Sequence, residues 1–232
     1  MEDYNRHTRV GPALYTWMFK KVNGFTGTLW NFEAFPEGMV PHYSDKATGK
    51  MISLLLENSE RDVSLTPSTS SLPQMASSIL SSQGDENTQA IIDVGAYFKG
   101  YSGEEVAHAI LDKPKLQQRA TPIKGVIYYD NNDQLKILEK INGKRAVKDY
   151  EEGLLAKEEL ITFYDQKHTT GSNIGQADYA RGVVTVGPHM KLRDLIQASG
   201  RMRKLDKGQK AGFVISEDVF SLIKEAYPKG EQ

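Results

Sequence analysis

The chain has 232 residues, a formal net charge of −1 and 39% hydrophobic side chains. A chain of this length buries a substantial core as one large domain or two small ones. The near-zero net charge argues against a generally cationic nucleic-acid binder, although it leaves room for a local basic patch. Because the chain contains no cysteine, a disulfide framework, a thiolate metal site and a cysteine nucleophile are excluded.

Composition divides the chain into three parts. Residues 1–57 form a run-in segment rich in aromatic residues, glycine and proline. Serine, threonine and proline dominate residues 58–88, which is typical of a flexible, solvated connection. Residues 89–232 have the regular pattern of a folded domain. A short helix inside the connection is the alternative, because four apolar residues share one helical face: Leu72, Met75, Ile79 and Leu80.

The part after residue 88 alternates apolar strands with amphipathic helices. Continuous runs of Val, Ile, Tyr and Phe between such helices are typical of a parallel sheet covered on both faces, so the predicted class is α/β. The predicted strands are "AIIDV", "GVIYYD", "ELITFYD", "RGVVTVG" and "AGFVIS". The predicted helices are "SGEEVAHAIL" with Ser102 as its N-cap, "NDQLKILEKIN", "KLRDLIQASGRMRK" and "EDVFSLIKEAY".

Nothing in the sequence predicts a membrane protein. No apolar run reaches the roughly 18–20 residues that a membrane-spanning helix needs. The first residues, "MEDYNRHTRVGP", are polar and lack the apolar centre of a signal peptide. We therefore expect a cytoplasmic or other intracellular protein, or a fragment of one, that has no membrane partner.

The loop after "ELITFY" is the first candidate ligand site, since ligands bind at the carboxyl ends of the strands in such sheets. It reads "DQKHTTGSNIGQ" over residues 165–176. A carboxylate such as Asp165, directly after an apolar strand, commonly reaches a metal-bound phosphate. Gly171 and Gly175 allow backbone N–H groups to approach a ligand. The alternative is a polar turn whose Asn, Ser and Thr side chains bond to their own backbone.

Residues 194–209, "DLIQASGRMRKLDKGQ", are the second candidate. Arg201 and Arg203 carry the side chain best suited to bidentate binding of phosphate. The alternative is a cationic helix end, where the helix dipole favours Arg and Lys. A third segment, "GFTGTLWN", predicts a tight turn whose Thr26 and Thr28 hydroxyls are free to form hydrogen bonds.

Three of these segments resemble the second RecA-like lobe of superfamily 2 helicases: "TTGSNI", "GVVTV" and "QASGRMRK". That family carries a Gly-x-Asp-Ile motif and, one strand later, Gln-x-x-Gly-Arg-x-x-Arg. Asn173 here replaces the usual Asp, Lys204 takes the place of the last Arg, and Arg203 lies one position early. The positions that match are Gly171 and Ile174 in the first motif, and Gln197, Gly200 and Arg201 in the second.

A closer likeness is to a family of very large, poorly characterised proteins of eukaryotes and some bacteria. "IIDVGAYFKG", "YDQKHTTGSNI" and "GRMRKLDKGQ" resemble three of its segments in the same order, with Gln166 where that family has Glu. "GFTGT" is similar to the Ser/Thr-rich coupling motif of the first helicase lobe and to the "MTGT" segment of bacterial preprotein translocase ATPases. This likeness implies a coupling role for Thr26, Gly27 and Thr28.

The resemblance implies a RecA-like, three-layer α/β/α domain with a mostly parallel sheet. Arg201, helped by Arg203, would stabilise charge on the γ-phosphate of ATP. ATP with Mg²⁺ is expected only where another lobe supplies the phosphate loop, since "YSDKATGKM" has Ser44 and Met51 at required Gly and Ser/Thr positions. No metal ligands are expected in this chain. The implied nucleotide-binding residues are Gln197, Gly171, Asn173, Asp165, Gln166 and His168.

Three functions remain open from the sequence. The first is a helicase-like second lobe, inactive alone, whose partner is the missing first lobe or a parent protein that acts on nucleic acid or protein. The second is a catalytically inactive module of the same fold that binds protein or nucleic acid, for which a basic stripe at Lys204, Lys207 and Lys210 is the relevant feature. The third is a free-standing enzyme that uses Asp165 and His168 as an acid–base pair.

Overall fold

The structure, a computed structural model, describes residues 63–66, 71–82, 88–188 and 190–226. The predicted run-in segment 1–57, with the coupling residues Thr26, Gly27 and Thr28, lies outside the described residues. Among the described helices, none combines the length and the apolar character that crossing a membrane requires.

Eight strands and five α-helices make up the described part of the chain. Three short 3₁₀ turns, at Lys157–Glu159, Lys167–Thr169 and Leu205–Lys207, join them. The strands are β1 (Val63–Thr66), β2 (Thr88–Ile92), β3 (Gly125–Tyr129), β4 (Leu135–Ile141), β5 (Lys144–Asp149), β6 (Leu160–Tyr164), β7 (Arg181–Val186) and β8 (Lys210–Ser216). The helices are α1 (Leu72–Ser82), α2 (Gly103–Leu111), α3 (Pro114–Gln117), α4 (Leu192–Ser199) and α5 (Glu217–Ala226).

All eight strands belong to one sheet in the order β1-β8-β7-β2-β6-β3-β4-β5. The first six run parallel, and β4 and β5 add an antiparallel hairpin at one edge. Helices α1 and α2 pack on one face of the sheet, and α4 and α5 pack on the other. The predicted three-layer α/β class with a mostly parallel sheet is confirmed, and it is consistent with a RecA-like fold.

The central strands are buried on both faces, which explains their unbroken apolar sequences. Every residue of β2, β6 and β7 is buried. Strands covered by helices on both sides need this composition, because neither face meets water. Each face therefore has its own apolar core, and the two cores meet only through the sheet.

Two elements lie within the serine-rich segment 58–88. Strand β1 pairs with β8, from Val63 opposite Phe213 to Thr66 opposite Ser216. Helix α1 fully buries Ala76 and Ile79 against α2. The helix that the apolar spacing allowed as an alternative is thus present and belongs to the core.

The prediction of a helix at "NDQLKILEKIN" is wrong, because this segment contains strand β4. Its apolar residues fit a helical and a strand period equally, and two turns decide between them. Before β4, the Asp130 carboxylate accepts hydrogen bonds from the backbone N–H groups of Asn132 (2.9 Å) and Gln134 (2.8 Å). After it, Asn142 and Gly143 have φ of 52° and 77°, the left-handed pair of a two-residue hairpin turn.

Burial predicts a sharp contrast between two isoleucines of the sheet. Ile91 in β2 is fully buried, whereas Ile141 at the end of β4 is 45% exposed. We expect Ile91→Ala to lower the free energy of unfolding by about 2–5 kcal/mol through lost packing and a cavity. Ile141→Ala is expected to change it by about 0.5 kcal/mol or less, as surface substitutions do. Urea denaturation checks both, and equal losses would contradict the two-sided core.

Candidate functional site

At the carboxyl edge of the sheet, the connections that follow the neighbouring strands β2 and β7 cross to opposite faces. The loop after β2 leads to α2 on one face, and the loop after β7 leads to α4 on the opposite face. Two loops that leave adjacent strands in opposite directions open a crevice between them, and such switch points are where open α/β sheets bind ligands.

A cavity of about 430 Å³ lies at this switch point. Its volume falls within the range typical of small-molecule sites. Four segments of the chain line it: the loops after β2, β6 and β7, and the first turns of α4. The lining residues are Val94, Gly95, Ala96, Gln166, Thr169, Thr170, Gly187, Pro188, Met190, Asp194 and Gln197.

The two glycines of the lining hold the loops after β2 and β7 in direct backbone contact. A Cβ atom on Gly95 would lie 2.8 Å from the Gly187 nitrogen, and one on Gly187 would lie 2.8 Å from the Gly95 oxygen. Real Cβ atoms do not approach backbone atoms this closely, so both positions require glycine. The Gly95 N–H also donates to the Thr185 hydroxyl at 2.9 Å.

Asp93, to which no sequence motif assigns a role, organises the loop after β2. Its buried carboxylate accepts hydrogen bonds from the Thr185 hydroxyl (2.6 Å) and from the N–H groups of Tyr97 and Phe98 (both 2.9 Å). Burial raises the pKa of this carboxyl from 3.8 to about 6, although the three hydrogen bonds oppose the rise. The available signal was a carboxylate directly after a buried strand, as at Asp165.

The polar lining of the cavity is almost entirely uncharged. Gln166 and Gln197 contribute amides, and Thr169 and Thr170 contribute hydroxyls. Asp194 is the one acidic lining residue; its carboxylate accepts from the Lys191 N–H at 2.9 Å and from Arg193 Nε at 3.2 Å. No lysine or arginine lines this cavity in the part of the chain that the structure describes, so the cavity suits a neutral hydrogen-bonding group better than a phosphate.

Beside the cavity, His168 lies between two carboxylates. Its Nδ1 is 2.8 Å from both Asp165 oxygens, and its Nε2 is 3.3 Å from Asp133 Oδ1. The ring stacks on Tyr129 with a centroid distance of 3.7 Å. Lys167, and to a smaller degree His168, lower the pKa of the Asp133 carboxyl. Both ring nitrogens of His168 therefore face carboxylate oxygens of its own chain.

No cluster of three or more His, Asp or Glu side chains within residues 63–66, 71–82, 88–188 and 190–226 is arranged to hold a metal ion. The contacts of His168 with Asp165 and Asp133 link the loop after β6 to the β3–β4 turn.

Arg201 and Arg203 converge on the loop that follows β6. Arg201 is buried, and its Nη1 donates to the Ser172 carbonyl. Arg203 is exposed; its Nε donates to Asn173 Oδ1 at 3.2 Å and its Nη2 to the Ser172 carbonyl at 3.4 Å. Burial lowers the pKa of Arg201, and the nearby Arg203 lowers it further. Arg201 Nε has no hydrogen-bond partner among the described atoms.

The residues predicted from sequence thus fall into three neighbouring groups. Gln166 and Gln197 line the cavity. Asp165 and His168 contact each other at its side. The third group joins the two sequence motifs, because Arg201 and Arg203 contact the loop at Ser172 and Asn173. Gly171 (φ 79°) precedes Ser172 in this loop. Neither arginine lines the cavity.

Comparisons with known proteins identify no relative of this chain, so its chemistry is argued from the residues described above. No protein-family model, no curated protein and no solved structure matches the chain.

The raised pKa of Asp93 predicts a pH dependence of stability. Between about pH 4 and pH 6 the folded state keeps a proton that the unfolded state has lost, so the free energy of unfolding falls as the pH rises. The fall amounts to about 3 kcal/mol. In Asp93→Asn this contribution disappears, although the variant is less stable at every pH because its amide NH₂ faces backbone donors.

Urea denaturation at several pH values between 4 and 7 measures this slope. Asp149→Asn is the matched control, since that carboxylate is 80% exposed at the sheet edge. Identical slopes for Asp93→Asn and the unaltered chain would contradict the role of Asp93.

Proposed function

We propose that the chain is the second lobe of a two-lobed, RecA-like ATPase of the helicase type. The observation that carries the proposal is the contact of Arg201 and Arg203 with Ser172 and Asn173, because the two segments selected from sequence as nucleotide motifs meet there. They lie about 30 residues apart in the chain. Arginines beside a motif loop are suited to stabilise phosphate charge that another lobe presents.

The geometry favours different roles for the two arginines. Arg203 is exposed, and its two hydrogen bonds of 3.2 and 3.4 Å are long, so it exchanges them readily for a phosphate oxygen. Arg201 is buried and holds the Ser172 carbonyl, which fixes the loop from Gly171 to Asn173. In the proposal Arg203 contacts the γ-phosphate, and Arg201 fixes the loop that Arg203 contacts. These roles are the reverse of those expected from the motif, in which Arg201 contacts the phosphate and Arg203 helps.

The described residues fit only part of an ATP site. They supply cationic donors for phosphate oxygens, but they offer neither a metal-ligand group nor a cationic lining to the cavity. The proposal therefore assigns Mg²⁺ and most contacts with the triphosphate to the first lobe, and it leaves to this chain the contact of Arg203 with the γ-phosphate. Gln166 and Gln197 line one cavity from the two motif segments, so an occupant of that cavity would contact both segments at once.

A second candidate function is an interaction module of the same fold that has lost catalysis. Two observations favour it. Gln166 and Asn173 stand where the resembling families carry carboxylates, and amides neither act as general bases nor bind Mg²⁺ strongly. In addition, Arg201 is already committed to a carbonyl of its own chain.

Calorimetric titration of the chain with ATP and Mg²⁺ tests the first candidate. We expect weak binding, with a Kd of about 0.1–1 mM, since only one lobe is present. Arg203→Ala removes a charge-assisted hydrogen bond of about 1.5–3 kcal/mol, so it should weaken binding at least about tenfold. Arg145→Ala is the matched control, because Arg145 lies on β5 and bonds to Asp112.

Two outcomes would contradict the proposal. One is ATP binding that Arg203→Ala leaves unchanged, since the ligand would then lie elsewhere. The other is no heat at millimolar ATP from a chain that denatures cooperatively. The latter result supports the interaction module, whose binding to a partner should survive Arg203→Ala.

A further inference from the structure

A second surface lies at the opposite edge of the sheet from the cavity, where β7 and β8 begin. The seven residues of β8 separate the two edges by roughly 20 Å. This surface, which we call the Tyr179 platform, consists of Tyr179, Lys204, Lys207 and Lys210.

Tyr179 is 76% exposed, the highest value among the large hydrophobic side chains of the described residues. Its ring is nevertheless seated against the backbone of Gly208. A Cβ on Gly208 would lie 2.9 Å from Tyr179 Cδ1 and 3.0 Å from Cε1, and Gly208 has φ of 112°. The positive φ favours glycine there, and the bare backbone lets the ring lie against it while most of the Tyr179 side chain faces water.

Gln209 fastens the lysine-bearing turn to the segment that carries Tyr179. Its buried side chain accepts from the Lys204 N–H at 2.8 Å and donates to the Ala177 carbonyl at 2.8 Å. The Lys210 N–H donates to the Ala180 carbonyl at 3.1 Å. The backbone segments that carry the aromatic ring and the three lysines are thus hydrogen-bonded to each other.

The charge of the platform is positive. Residues 203–210, "RKLDKGQK", contain four cations and one acid. Lys204 bonds to Asp178, which neutralises it in part. Lys207 and Lys210 are exposed. An anionic partner would therefore meet two lysines beside an accessible aromatic face.

We propose that the Tyr179 platform binds single-stranded nucleic acid. A base stacks on the Tyr179 ring, and the lysines contact the phosphates on either side. A duplex fits less well because its base faces are already stacked. An acidic peptide would satisfy the lysines but would leave the exposed ring unused. The proposal goes beyond the ATPase role and does not require Arg203 or the cavity.

Fluorescence anisotropy of a labelled single strand of about 12 nucleotides tests this, since such strands match the site sizes of stacking platforms. Tyr179→Ala should weaken binding about tenfold, the loss of one stacked base, whereas Tyr179→Phe keeps the ring and should bind nearly as the unaltered chain does. Tyr101→Ala is the matched control, because Tyr101 is 41% exposed elsewhere on the surface.

The salt dependence of binding tests whether the lysines contact phosphates. Lys207→Gln combined with Lys210→Gln should reduce the slope of log K against log salt by about 0.7 for each phosphate that the variant no longer neutralises. The double variant Lys115→Gln with Lys144→Gln removes two exposed lysines from other elements and should leave the slope unchanged. Urea denaturation of each variant distinguishes a binding defect from a folding defect.

Four outcomes would overturn the proposal: no binding, binding that Tyr179→Ala leaves unchanged, equal affinity for a duplex, and equal competition by polyglutamate. The last would assign the surface to an acidic protein. None of these bears on the ATP titration, since Tyr179→Ala leaves both arginines in place.

Discussion

The carboxyl edge of this sheet depends on the backbone contact between Gly95 and Gly187. Neither position has room for a Cβ atom. That contact brings the loops after β2 and β7 together, although they lead to opposite faces of the sheet. Asp93 strengthens it, because its carboxylate accepts a hydrogen bond from the Thr185 hydroxyl. The same carboxylate accepts hydrogen bonds from two backbone N–H groups, of Tyr97 and Phe98, within the loop after β2. Loosening this contact would change the part of the cavity wall that the loops after β2 and β7 form.

Chemistry is divided between two kinds of surface. The cavity is lined by amides, hydroxyls, apolar groups and the Asp194 carboxylate, while the arginines and lysines of the described residues lie outside it. Such a division suits a domain that shares its ligand with another, because the charged part of the ligand then remains at the junction. Arg201 has a different place, because it is buried and donates to the Ser172 carbonyl of its own chain. This bond stiffens the loop that Arg203 also contacts.

Much of the fold could be predicted from the sequence because the central strands are covered on both faces and must be apolar throughout. The β4–β5 hairpin is harder to predict, since "LKILEKI" fits both a helical and a strand period and β5 carries no buried residue. The Asn142–Gly143 pair was the missed signal. In the site, the motif residues could be identified from the sequence, but the contact of Arg203 with Asn173 could not be predicted. The role of Asp93 depends on Thr185, about 92 residues away, and no local pattern reveals such a partner.

Strand β5 closes one edge of the sheet, and every one of its residues is exposed. An open edge strand offers unpaired backbone groups to any other extended chain, so it is a hazard for uncontrolled assembly. Here the edge reads "KRAVKD". A second copy that paired with it parallel and in register, as chains do in fibrils, would place each lysine and the arginine opposite its own counterpart, and like charges repel across a strand pair. The composition of β5 therefore limits growth of the sheet into fibrils.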